Sequence, residues 1–181
     1  MRRLFLLLFG LIFSINGFAQ KEREKISWDK DRPLVWSDFK GNPAPLSPFK
    51  ANTNAGISFS WSYSENGSDK ELKYTAESYF YPQLSWKKVV KEKEFLLAHE
   101  QLHFDIAELH ARMLRKALSE YKIGINVKKE LVALYNLYGR KLEEMQQQFD
   151  KETNHSKIKE AELEWRDFVK EELDKYQAYA N

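Results

Sequence analysis

A strict alternation of side chains between residues 57 and 63 is the feature that most constrains the fold of this chain. Its apolar positions are Ile57, Phe59, Trp61 and Tyr63, and serines occupy the positions between them. Because successive side chains of a strand point to opposite faces of a sheet, the alternation predicts a strand over residues 51–63. The turn-forming Glu65-Asn66-Gly67-Ser68 follows, and then a second extended run over residues 72–80. We therefore expect an antiparallel hairpin.

Helix formers dominate the rest of the chain, and glycine is absent between Gly67 and Gly124. We expect a first helix over residues 91–121. The second helix is marked by apolar residues spaced three or four apart: Leu131, Leu134, Tyr138, Leu142, Met145 and Phe149. The third begins near residue 156, and the charged residues between 160 and 175 are expected to form its solvated face. The predicted fold class is α+β, with a small antiparallel β-sheet followed by three long helices.

The first 19 residues have the features of a signal peptide. Arg2 and Arg3 precede an apolar run, and Gly17-Phe18-Ala19 has the small-x-small pattern that a signal peptidase cuts. We predict a signal peptide over residues 1–19, a single domain over residues 20–181, and an exported protein that is periplasmic or secreted. The apolar run is shorter than the roughly 20 residues that a membrane span needs. We therefore expect no stable membrane insertion after signal cleavage.

The composition argues against nucleic-acid binding and excludes metal sites built from cysteine. The chain has 29 Lys and Arg against 27 Asp and Glu, and removal of the signal peptide lowers its net charge from +2 to zero. Nucleic acids are therefore not expected partners, because their binding needs an excess of basic residues. Cysteine is absent, so any metal site must be built from His, Asp and Glu.

Residues 20–50, rich in proline and aromatic residues, are expected to be irregular.

An H-E-x-x-H motif lies in the first predicted helix, from His99 through Glu100 to His103. Residues four apart on a helix share a face, so the two imidazoles could bind one Zn²⁺ ion per chain. Glu100 would lie beside the metal-bound water and act as general base, while the metal polarises the carbonyl under attack. The motif predicts a zinc-dependent hydrolase.

The third protein ligand of such a site is left open by the motif, since catalytic zinc normally has three protein ligands and a water. His155 is favoured, because it follows the second predicted helix in a break over residues 150–156 that could return to the first helix. The competing carboxylates are Asp150, Glu108, Glu143 and Glu144. Asp150 could instead accept a hydrogen bond from a ligand and orient it. Glu108 is better placed to hold neighbouring structure than to bind the metal.

His110 is not expected to be a ligand. It lies two helical turns, about 10.5 Å, beyond His103. The metzincin pattern is also excluded, because Ile106 and Leu109 stand where that class has Gly and His. We expect His110 at the surface or at an interface.

Three stretches resemble a bacterial family of exported, zincin-like proteins, described as predicted zinc-dependent proteases of unknown function. They are residues 99–108 (HEQLHFDIAE), residues 34–39 (LVWSDF) with Gly41, and residues 149–156 with Phe149, Asp150, Thr153, His155 and Ser156. The family pattern has Tyr at the position of Phe149 and Gly at that of Ser156. The resemblance implies a zincin-like architecture, in which the edge strand of a sheet lies near the active-site helix, and it implies no particular substrate.

Together these features predict an exported zinc metallopeptidase that acts on a peptide or protein substrate. An extended peptide could bind by adding a strand to the edge of the small sheet. The alternative is a non-catalytic envelope module that uses the same scaffold for binding or structure. The presence of Glu100 favours the peptidase, because a structural zinc site needs no base.

Overall fold

The computed structural model describes residues 24–89 and 93–181. The predicted signal peptide, residues 1–19, lies outside the described residues. Within them, no helix is both long and apolar enough to span a membrane.

The hairpin expected from the alternating pattern is confirmed. β3 (Ala55–Asn66) and β4 (Asp69–Phe80) pair antiparallel along their whole length, from Ala55 opposite Phe80 to Asn66 opposite Asp69. Gly67 has a φ of 64° in the two-residue turn, a conformation that glycine adopts without a steric penalty. Both strands are longer at the turn end than the apolar pattern indicates, because the backbone ladder continues through their polar residues.

Three very short strands complete the β structure. β1 (Ile26–Ser27) pairs with the end of β4, which gives a three-stranded sheet of order β1-β4-β3. β2 (Ala51–Asn52) and β5 (Trp86–Lys87) form a separate two-stranded antiparallel sheet. The segment before residue 50 is therefore less irregular than expected, since it contains β1 and a 3₁₀ helix over Trp36–Asp38.

The three predicted helices are present. They are α1 (Lys93–Ser119), α2 (Val127–Thr153) and α3 (Lys159–Lys175). The expected break from residue 150 is wrong, because α2 continues through Asp150 to Thr153. The helix ends where Asn154 adopts the left-handed conformation, and the Asn154 N–H returns to the carbonyl groups of Asp150 and Lys151. The small antiparallel sheet and three helices confirm the α+β class.

α1 is the central element of the core. It packs against β3, β4, α2 and α3. Its middle turns are buried over most of the circumference, with Ile106, Leu109, Ala111 and Leu114 fully inaccessible to solvent. Because polar residues such as Glu108 and Arg112 are buried there too, these turns are enclosed by the surrounding elements on most sides. The H-E-x-x-H motif lies just before these turns, so its side chains are held by a rigid support.

Candidate metal centre

The two histidines of the motif lie side by side within α1. Their ring centroids are 5.0 Å apart and the rings are nearly perpendicular. His99 is 3% exposed and His103 is 8% exposed. Phe149 of α2 packs against both rings. Helical spacing and aromatic packing therefore restrict both imidazoles to one arrangement.

Both imidazoles direct a nitrogen at the same carboxylate oxygen. The Nε2 atoms of His99 and His103 lie 3.2 Å and 3.3 Å from Oδ1 of Asp150. Ligand atoms of His99, His103 and Asp150 all lie within 4.8 Å of one another. Two imidazoles and one carboxylate are a donor set that suits catalytic zinc, leaving a fourth position for water. The residues present thus fit a zinc ion.

His155, the third ligand expected from the sequence, lies outside this group of three. Its Nδ1 atom is 3.1 Å from Oδ1 of Asp150, and its side chain is 39% exposed. The ring of Phe49 lies against it, with centroids 4.4 Å apart. α2 continues through Asp150, which therefore lies on a helix that faces α1, whereas His155 follows the helix end. His155 thus approaches the same oxygen of Asp150 as His99 and His103 do, without belonging to the group of three close donors.

Glu162 is a site residue that the sequence analysis missed. It is fully buried, and its Oε2 atom lies 2.9 Å from Nδ1 of His99. The expectation of a solvated charged face on α3 is therefore wrong at this position. Spacing could have indicated it, since Glu162 precedes the buried Trp165 by three residues and Val169 by seven.

Glu100 faces a pocket of about 460 Å³ that also contains both motif histidines and Asp150. Residues 48–53 also line the pocket, and the Thr53 hydroxyl donates a hydrogen bond to the Glu100 carbonyl group. Glu100 is 4% exposed. Burial raises the pKa of its carboxyl group, against the opposing effects of His103, His99 and the Thr53 hydroxyl. The predicted base and the candidate ligands therefore share one cavity.

The charged groups of the site strongly affect each other's protonation. Burial alone would lower the pKa of His99, but hydrogen bonds to Asp150 and Glu162 raise it to about 9. Burial alone would raise the pKa of Asp150, but hydrogen bonds from His103 and His99 hold it well below its usual range. The carboxylates thus stabilise positive charge at the position where the imidazoles meet.

The remaining candidates lie elsewhere. Glu108 accepts hydrogen bonds from Ser78 and from two arginines, outside the group of three. Its placement agrees with a role in holding neighbouring structure. His110 is 2% exposed and its Nδ1 atom donates to the Ile106 carbonyl group, so the expectation of a surface position is wrong. Glu143 and Glu144 are exposed on α2.

Two of the stretches behind the family resemblance are in direct contact. Gln101, inside the H-E-x-x-H motif, accepts a hydrogen bond from the Leu34 N–H at 2.7 Å. Its amide group donates to Asp105, which also accepts from the Trp28 indole. These contacts fasten the N-terminal segment to the side of α1 away from the two histidines.

Comparison with known proteins gives one match. The model of a bacterial family of proteins of unknown function (DUF922) matches residues 41–156, more than half of the chain. The chain belongs to this family. The matched DUF922 stretch includes the motif, Asp150 and His155, and it ends before α3. No curated protein matches the chain. No solved structure matches it either.

Proposed function

We propose that this protein is a zinc-dependent hydrolase, and specifically a peptidase, with one zinc ion per chain held by His99, His103 and Asp150. The observation that carries the proposal is the convergence of two histidine Nε2 atoms on one oxygen of Asp150, at 3.2 Å and 3.3 Å. The zincin-like architecture belongs to the same proposal. So does export, which rests on the features of residues 1–19.

The residues of the pocket can be given distinct roles. A zinc ion held there would polarise the scissile carbonyl group and lower the pKa of a water molecule. Glu100 accepts a proton from the water molecule as the water oxygen bonds to the carbonyl carbon. Glu100 then passes that proton to the amine nitrogen as the C–N bond breaks. The burial of Glu100 limits competition from bulk water for this transfer.

An extended peptide is the substrate that the pocket supports best. One wall consists of residues 48–53, which include β2. Among the described residues, β2 pairs with β5 alone, so its other edge has no strand partner. A peptide backbone could pair with such an edge with little demand on its sequence.

The test is hydrolysis of a peptide library by the mature wild type and by Glu100→Gln. We expect Glu100→Gln to retain zinc and to lose about 10²- to 10⁴-fold in turnover, the contribution of a general base. Glu94→Gln, which changes an exposed glutamate of the same helix, is the matched control and should keep full activity. Equal turnover by Glu100→Gln and wild type would remove Glu100 as the base. Zinc binding without hydrolysis in any form would favour the non-catalytic module.

A further inference from the structure

Glu162 and Arg166 form a continuous hydrogen-bonded connection to His99. Oε2 of Glu162 lies 2.9 Å from His99 Nδ1, and Oε1 accepts a hydrogen bond from Arg166 Nη2 at 3.1 Å. A carboxylate can only accept hydrogen bonds, so Nδ1 of His99 carries the proton of this contact. Nε2 of His99 faces Oδ1 of Asp150 at 3.2 Å, and it is the nitrogen that would give up its proton to a metal ion while Nδ1 keeps its hydrogen bond to Glu162.

Arg166 is itself held against α1. Its Nη2 atom also donates to the Phe95 carbonyl group at 3.4 Å, one turn before His99. Its guanidinium lies 4.8 Å from the centre of the Phe95 ring. Arg166 therefore contacts the turn of α1 that precedes His99, while Glu162 contacts His99 itself. The Arg166 side chain is 28% exposed and that of Glu162 is fully buried.

We propose that Glu162 and Arg166 are a positioning pair that holds His99 in the tautomer and ring orientation needed to bind a divalent metal ion through Nε2. This inference rests on the proposed metal site. Carboxylates that accept a hydrogen bond from a metal-binding histidine raise its basicity and fix its direction. The pair lies beyond the stretch matched by the family, which ends at residue 156.

The experiment measures zinc affinity by competition with a chelator, without any activity assay. Glu162→Gln keeps the shape of the side chain but removes its charge. We expect its dissociation constant for zinc to rise about 10- to 100-fold. Glu164→Gln makes the same chemical change at an exposed position of α3 and should bind zinc as the wild type does. Arg166→Gln should also weaken zinc binding, but less than Glu162→Gln does, because it leaves the Glu162 carboxylate in place.

Cobalt substitution separates positioning from a purely structural role. Co²⁺ in the wild type provides a reference visible absorption spectrum, and we expect Glu162→Gln to shift that spectrum because the direction of His99 changes. If Glu162→Gln is less stable but binds zinc with wild-type affinity and an unchanged cobalt spectrum, the positioning role is overturned. If Glu162→Gln does not fold, wild-type affinity and spectrum in Arg166→Gln overturn it. Failure of the wild type to bind zinc would overturn both the pair and the proposed function.

Discussion

Two clusters of polar side chains are built on α1 and the elements packed against it, and they differ in how their charges are compensated. The arginine cluster consists of Glu108, Arg112, Arg115 and Ser78. The histidine cluster consists of His99, His103, Asp150 and Glu162. In the arginine cluster, one oxygen of Glu108 accepts hydrogen bonds from Arg112 at 2.9 Å and Arg115 at 2.6 Å. Guanidinium groups are always protonated, so the hydrogen-bond partners of this carboxylate are permanently cationic.

The histidine cluster lacks such a cation at Asp150. The ion pairs of Asp150 among the described residues are all with histidines, at 3.1 to 3.3 Å. An imidazole is cationic only when protonated, and its neutral form has a lone pair that can bind a metal. The comparison thus distinguishes a carboxylate with permanently charged partners from one whose partners are cationic only when protonated.

The largest loss of stability is expected from a substitution that breaks the arginine cluster. Glu108→Gln should leave the buried Arg112 and the partly buried Arg115 without their carboxylate and lower the free energy of unfolding by about 3–5 kcal/mol. Urea denaturation of the metal-free protein measures this. Glu120→Gln removes an exposed pair with Lys116 and should leave the free energy of unfolding nearly unchanged. Equal losses in the two variants would contradict the compensation assigned to Glu108. The zinc affinity of folded Glu108→Gln should equal that of the wild type.

The next largest change in stability is expected when zinc is added to the histidine cluster. Zinc at a free concentration of 100 times its dissociation constant should stabilise the wild type by about 2.7 kcal/mol. Urea denaturation with and without zinc measures the change. Mg²⁺ is the control ion, because it prefers oxygen ligands and should have little effect. His103→Ala should lose the stabilisation by zinc; if it keeps it, the ion binds elsewhere.

The smallest expected effect is a difference in zinc affinity between two variants, which identifies the third ligand. Asp150→Asn should weaken zinc binding more than His155→Ala, because Asp150 and not His155 belongs to the group of three close donors. His155→Ala should reduce affinity only by loosening Asp150, which its Nδ1 atom contacts. Chelator competition on both variants gives the order. If His155→Ala has the larger loss, the ligand expected from the sequence is the correct one.

Much of the fold follows from local periodicity. The alternation from Ile57 to Tyr63 predicts a strand with a defined face, and Gly67 predicts the turn, so the hairpin is recovered. β1 and β5 are not recovered, and the predicted strand over residues 51–63 merges β2 with β3. β1, β2 and β5 have only two residues each, and pairing of such short segments depends on what the tertiary structure brings alongside them.

The site is recovered only where its residues are close in sequence. His99, Glu100 and His103 are found because one helix determines their spacing. The choice between Asp150 and His155 depends on where α2 ends, and helix ends are uncertain from sequence by a few residues. Glu162 is missed because the charged residues around it in α3 conceal its helical spacing from the buried Trp165 and Val169.

The loop between α2 and α3 contains three consecutive residues with positive φ, at 46° for Asn154, 52° for His155 and 65° for Ser156. This reversal places Asp150 and Glu162 on two sides of a single imidazole ring. The length of the loop is one requirement of the site. One residue added and absorbed at the start of α3 would turn that helix by about 100°, carrying Glu162 away from His99. Substitutions that keep five residues from 154 to 158 and tolerate positive φ at residues 154–156 would keep the turn that brings both carboxylates to His99.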